Sequence, residues 1–230
     1  MAVTTVRGQV GSADVAMSPG TLARLAGGAV VITVGGTEVL VTATANRGGR
    51  EGLDFFPLTV DVEERMYAVG RIPGSFFRRE GRATEKATLT CRLIDRPPRP
   101  SFEDGFRSET HIVATVMSAD MVYSYDVAAL NAASAALMVS PIPVLGPIGA
   151  VRQALKDGEW IPFPTYEELG ESVFELVVAG KRNDTGQVDI AMVEAGATEE
   201  GHRLVAAGAP KSDEETVARG LEIAKEHIAT

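Results

Sequence analysis

Between positions 71 and 99 an otherwise acidic chain gathers residues able to grip a polyanion. The stretch RIPGSFFRREGRATEKATLTCRLIDRPPR carries Arg71, Arg78, Arg79, Arg82, Lys86, Arg92, Arg96 and Arg99 against Glu80, Glu85 and Asp95. That is a local surplus of five positive charges in a protein of formal net charge −9, so the remainder carries −14. A positive island on a negative surface is where a polyanion settles, because its field opposes that of the rest of the molecule. Two aromatic residues, Phe76 and Phe77, run straight into Arg78 and Arg79. Aromatic faces stack on unpaired bases and guanidinium groups hold phosphates, which is the chemistry of single-stranded nucleic acid binding. The competing reading is structural. Adjacent phenylalanines are commonly core, and in a strand they point to opposite sides, so at most one reaches a ligand. Composition alone leaves both readings open.

Other candidates carry less. Arg92, Arg96 and Arg99 are spaced by four and three, which keeps them near one face of a helix. They either extend the electropositive path or pair with Asp95, Glu85 and Glu103. A dense helix face compensates its own charge, so pairing is expected for at least one. His111, His202 and His227 lie far apart with no metal-ligand spacing. Asp61 and Glu63 alternate onto one strand face and read as a solvated strand end rather than a carboxylate pair. No phosphate-binding or dinucleotide loop and no Ser-His-Asp or Cys-His arrangement is present in the sequence.

The elements that must position these residues follow from patterning. AVVITV (29–34) and EVLVTATA (38–45) flank Gly35-Gly36-Thr37, a hairpin signal. FFPLTVDV (55–62) reads as a further strand, and the Gly-, Pro- and Arg-rich segment to about Glu80 reads as a loop. A helix is expected over 83–95, stopped by Pro97-Pro98. A buried strand follows at 110–117, then a helix over 127–139 capped by Asp126 and rich in Ala and Ser. Strands are expected at 146–155, 173–180 and 187–194, with a KDGE turn and a Thr165/Glu168 capping box between the first two. A final helix starts at Ser212, with Glu215 completing a second capping box. Glycine pairs at 27–28, 35–36 and 48–49 read as turns.

Length and composition bound the class. The chain has 230 residues, 45% of them apolar, and one cysteine, Cys91. This fits a globular α/β domain in a reducing compartment, with no internal disulfide. No run has signal-peptide character or membrane-spanning length, so a cytoplasmic protein without membrane contact is the expectation.

The strings FFPLTVDVEER (55–65), GRIPGSFFRREGR (70–82), CRLIDRPPRPSF (91–102), YDVAALNAASAAL (125–137), GPIGAVR (146–152) and FELVVAG (174–180) together resemble the polynucleotide phosphorylase family. The resemblance is to the first of that family's two RNase PH-type cores. It implies an α+β, RNase PH-like (ribosomal protein S5 domain 2-like) mixed sheet packed with helices. One such core would occupy 1–230, closing with a helix at about 212–229. It also implies that the FFRR segment lines the path of single-stranded RNA. That role passes to Phe76, Phe77, Arg78 and Arg79, then to Arg82, with Arg92, Arg96 and Arg99 as an extension.

The family's catalytic core places a Gly-Ser-Ser phosphate loop before its alanine-rich helix, and an aspartate and a lysine just before the VAG string. Here the loop reads Met121-Val122-Tyr123-Ser124-Tyr125-Asp126, keeping only Ser124. Glu175 stands near the aspartate position and Val177 at the lysine position. By resemblance this half therefore holds no catalytic residue and no metal. The parent enzyme would use inorganic phosphate as co-substrate and Mg2+, shorten RNA from its 3′ end to nucleoside diphosphates, and run reversibly. A second RNase PH-like core, KH and S1-type domains and a homotrimeric ring are further implications. The alternatives are a self-sufficient RNase PH-like nuclease that trims tRNA, and a non-catalytic RNA-binding scaffold. No residue supports guanosine pentaphosphate synthesis.

Overall fold

Period-two patterning builds the first sheet. The computed structural model describes residues 4–49, 52, 54–74 and 79–230. Strands β1 (Val6–Val10), β2 (Ala13–Pro19), β3 (Gly28–Val34) and β4 (Thr37–Ala45) pair antiparallel in succession. In β4, Val39, Val41 and Ala43 face the core while Glu38, Leu40 and Thr42 alternate outward. The β3–β4 hairpin turns at Gly35, whose φ of 58° suits glycine.

β5 (Leu58–Glu64) starts three residues later than the FFPLTVDV string implies. Pro57 has no amide to donate to a ladder. Phe56 instead joins an aromatic cluster, its ring 4.4 Å from Phe102 and 5.6 Å from Phe106. β5 pairs parallel with β6 (Thr110–Ser118), which pairs antiparallel with β4, giving the order β1-β2-β3-β4-β6-β5. Helix α1 (Glu85–Asp95) lies between β5 and β6 in the chain and packs back along β5.

Helix α2 (Tyr125–Met138) is buried at eleven of its fourteen residues. A helix that is apolar all round belongs between layers. α2 packs on β3 and β4 on one side and on β7 (Ile148–Lys156) on the other. Small side chains permit that close approach, and two polar ones exploit it. The Ser134 hydroxyl accepts the Ile148 amide at 2.7 Å, and the Asn131 amide group exchanges two hydrogen bonds with Ala150. β7 belongs to a second, antiparallel sheet with β8 (Glu159–Pro162), β9 (Phe174–Arg182) and β10 (Val188–Ala197), in the order β10-β9-β7-β8.

Of the short helices, α3 (Tyr166–Gly170) lies between β8 and β9 in the chain and α4 (Gly201–Ala206) follows β10. α5 (Glu214–Ala229) packs on β7 and β9. α3 opens with the expected Thr165/Glu168 capping box. Among the described residues, no helix is long and apolar enough to cross a membrane.

The structure departs from three further expectations. α5 begins at Glu214 rather than Ser212. Asp213 is its cap and accepts the Thr216 amide at 2.9 Å, a charged acceptor being stronger than a hydroxyl. α2 begins at Tyr125, so Asp126 is not its cap but lies inside the first turn, bonded to the Arg152 guanidinium. Ser124 takes the cap position without a side-chain bond.

Gly28, finally, marks no turn. It opens β3 directly beneath α2, where a Cβ would stand 2.0 Å from the Ala136 carbonyl oxygen. Neither backbone can yield without separating helix from sheet. Gly28→Ala is therefore expected to destabilise by about 3 kcal/mol, the upper end of overpacking costs. Urea unfolding tests this, and a midpoint matching the parent protein would refute the close packing.

Candidate nucleic-acid interface

A cleft of about 640 Å3 opens between the end of β5, the 3-10 turn Met66–Val69, residues 79–84 and the start of α1. Its wall is fixed by one carboxylate. Glu64 accepts the Tyr125 hydroxyl at 2.7 Å and the Thr84 hydroxyl at 2.5 Å. Thr84 in turn caps α1 by accepting the Ala87 amide. Glu64 thus joins β5, α1 and α2 at one point. Burial, reinforced by the Glu64 carboxylate, pushes the Tyr125 phenol far above its usual range, so it remains a hydrogen-bond donor. Lys86 lies over the Tyr125 ring at 4.7 Å and the Tyr166 ring at 5.0 Å, and donates to the Tyr166 hydroxyl. Cation–π contact on two rings holds the ammonium in place at the cleft.

Asp120 lies between the cleft-lining residues Ala119 and Met121. Burial disfavours its ionisation, but the amides of Val122, Gly36 and Tyr123 and the Thr37 hydroxyl outweigh that and hold the carboxyl below its ordinary value. The β3–β4 turn is thereby tied to the loop before α2.

The basic residues divide into two groups. Arg71, Arg79 and Arg82 line the cleft, beside the start of α1. Arg92, Arg96 and Arg99 lie on or beyond the last turn of α1, and a helix of eleven residues is about 16 Å long. Arg99 bonds both oxygens of Asp95, at 2.7 and 3.0 Å, and donates to the carbonyls of Phe56 and Leu58. Arg96 turns the other way and pairs with Glu194 on β10 at 2.6 Å. Arg92 is exposed and has no partner among the described residues. Phe76, Phe77 and Arg78 lie outside the described residues.

The carboxylates of β5 are engaged as well. Asp61 pairs with His111 at 2.7 Å across the parallel ladder, and Glu63 bonds Arg65 and Thr115.

Ser124, Glu175 and Val177 sit where α2 begins and on β9. Val177 is buried and lies opposite Arg152 in the β7–β9 register, so the two side chains share a face. Arg152 bonds Asp126 at 2.7 Å and also bonds Glu175. Burial alone would lower the Arg152 pKa, but the two carboxylates outweigh it and raise it. A phosphate does not fit here. Asp126 puts a negative charge in the first turn of α2 and accepts the Val127 amide at 2.7 Å, an amide an anion would need. Magnesium does not fit either. Both carboxylates are bound to a guanidinium, and no group of three or more His, Cys, Asp or Glu among the described residues is arranged to hold a metal.

Sequence reasoning missed the roles of Glu64, Tyr125, Tyr166 and Arg152. Arg152 lies inside the GPIGAVR string, so its position was visible although its partners were not.

A mixed six-stranded sheet and an antiparallel four-stranded sheet enclosing one buried helix define the RNase PH-like fold. A chain of the Archaeoglobus fulgidus exosome with RNA bound to the active site shares it, with TM-score 0.68 and 16% identity, over 93% of this chain and 85% of that one. Rice (Oryza sativa) Rrp46 does so with TM-score 0.66 and 16% identity, over 94% and 90%. Residues 13–143 match domain 1 of the 3′ exoribonuclease family, and the chain belongs to that family.

Among curated relatives, the polyribonucleotide nucleotidyltransferase of Acidothermus cellulolyticus is 56% identical over 97% of this chain and 28% of its own length. That of Salinispora arenicola is 56% identical over 98% of this chain and 29% of its own length. The chain therefore spans less than a third of these relatives.

Proposed function

We propose that this chain is the first RNase PH-like core of a longer polyribonucleotide nucleotidyltransferase. That enzyme would work in the cytoplasm, phosphorolysing single-stranded RNA from its 3′ end to nucleoside diphosphates and running reversibly. In this reading the chain guides RNA and supports assembly, while the reacting groups belong to a second core. Magnesium would neutralise developing charge there and inorganic phosphate would attack. A homotrimeric ring, with KH and S1-type domains on the same chain, completes the reading.

The observation that carries it is the contrast between two places. The basic FFRR segment is intact in sequence, whereas Arg152, Asp126 and Glu175 occupy one another on the face Val177 shares. The relatives' names and their greater length support the reading of a longer polyribonucleotide nucleotidyltransferase. A self-sufficient RNase PH-like nuclease would need a free phosphate site, and an acidic residue in the first turn of α2 works against one.

Incubating the 230-residue chain with poly(A), phosphate and magnesium, and measuring ADP, separates the readings. No release from folded protein is expected. Sustained, phosphate-dependent release would mean that a complete site exists in this core.

A further inference from the structure

We infer that β1 is a docking edge for a second copy of this chain, the two β1 strands pairing antiparallel about a two-fold axis at Gly8. Whether the chain binds RNA has no bearing on it.

A strand at the end of a sheet leaves a row of amides and carbonyls unpaired, and proteins blunt such edges with charges, proline or bulges. The two sheets end in β1 and β5, and in β10 and β8. β5 carries Asp61, Glu63 and Glu64. β8 has four residues and ends in Pro162. β10 shifts register between Ile190 and Met192. β1, with the sequence VRGQV, has no acid, proline or bulge. Its first four residues are exposed, Val6 at 65%.

The hairpin decides which backbone groups are free. Val10 and Ala13 close a two-residue turn in which Gly11, with φ 60°, comes first. The closing pair exchanges hydrogen bonds and the pattern alternates, so Val10, Gly8 and Val6 bond β2. The amides and carbonyls of Arg7 and Gln9 therefore point away from the sheet. A second β1 centred on Gly8 meets them in phase and pairs all five residues. Arg7 lies opposite Gln9 of the second copy, Val6 opposite its Val10, and the two Gly8 residues face each other.

Charge selects this register. Within the hairpin Gln9 pairs with Asp14 and Arg7 with Ala16, and paired residues share a face. The row across the axis thus reads Asp14, Gln9, then Arg7 of the second copy. Its guanidinium enters beside Gln9 and extends toward Asp14, two strand spacings or roughly 10 Å from its own backbone. Neither Arg7 nor Asp14 has a side-chain hydrogen bond or ion pair among the described residues. Centring the pair on Arg7 instead sets two guanidiniums opposite each other, which is unfavourable. Centring it on Gln9 sets Val6 opposite Ser12 in the turn. Two strands of this length bury less than the roughly 1,000 Å2 of a stable interface, so the dimer is weak and is best read by trapping.

The test places single cysteines in the 230-residue chain with Cys91, its one natural thiol, replaced by C91A. Facing Gly8 residues form a non-hydrogen-bonded pair with Cα atoms about 4.5 Å apart, within disulfide range. Two Gln9 residues stand about 8 Å apart in the same register, beyond it. A Cβ at Gly8 meets nothing within 4 Å, so G8C does not disturb the hairpin. In a glutathione buffer G8C is expected to form the linked dimer about tenfold faster than Q9C, since pairing raises the effective thiol concentration. Sedimentation equilibrium gives a second reading. Q9E sets a carboxylate opposite Arg7 of the second copy and is expected to tighten association about two- to tenfold, while Q9K loosens it by a similar factor.

Equal linking rates for G8C and Q9C overturn the pairing. Faster linking of Q9C overturns the register by moving the axis to Gln9. Equal association of Q9E and Q9K overturns the placement of Arg7 opposite Gln9.

Discussion

Replacing Arg152 by methionine is expected to destabilise the protein by about 3 kcal/mol, the lower end of the cost of stranding a buried ionic partner. The guanidinium is the common partner of Asp126 and Glu175, whose side chains are 10% and 38% exposed. Removing it leaves Asp126 charged and desolvated between α2 and β7. Glu175 can turn partly to water, which keeps the loss below the range's maximum. The triple variant R152M/D126N/E175Q should recover to within about 1 kcal/mol of the parent, because a buried ion cluster replaced as a whole costs little. D126N also retains a side-chain acceptor for the Val127 amide. Urea midpoints of the three proteins distinguish the outcomes. A loss under about 1 kcal/mol for R152M would mean that the cluster is effectively solvated. That would reopen the case for an anion site beside Val177.

The second large effect concerns RNA. In the assembled enzyme, R78A/R79A is expected to weaken single-stranded RNA binding by about ten- to hundredfold, since charge-assisted contacts are worth roughly tenfold each or more. It should also flatten the salt dependence. Each phosphate neutralised on a single strand contributes about 0.7 to the slope of log K against log salt, so losing two reduces it by about 1.4. Fluorescence anisotropy across a salt series reads both quantities. Unchanged affinity and slope would take the segment off the RNA path. A uniform loss of affinity with the slope intact would point to altered structure rather than lost phosphate contacts.

Much of the fold was legible because it rests on local rules. Alternation in β3 and β4, the glycine at the turn between them, and the Thr165/Glu168 box each act within a few residues. Where local signals competed, tertiary contacts prevailed. Asp126 has the chemistry of a helix cap, yet Arg152, 26 residues away, draws it into the first turn. Gly28 has the composition of a turn, yet the approach of α2 requires the absence of a side chain there. Ser212 and Asp213 both suit a cap, and the charged one took the position.

The candidate site divides the same way. Residue types alone establish that positive charge and aromatic residues concentrate between 71 and 99, and the family resemblance adds that Ser124, Glu175 and Val177 depart from its phosphate-binding pattern. Type is visible in a string. Which charges are engaged, and by what, emerges only once the chain is folded. Arg96 pairs with Glu194, 98 positions away, and Arg99 with Asp95, while Arg79 and Arg82 line a cleft at the opposite end of α1. Ion pairing depends on distance and desolvation, and both are set by the register of strands and helices brought together from remote parts of the chain.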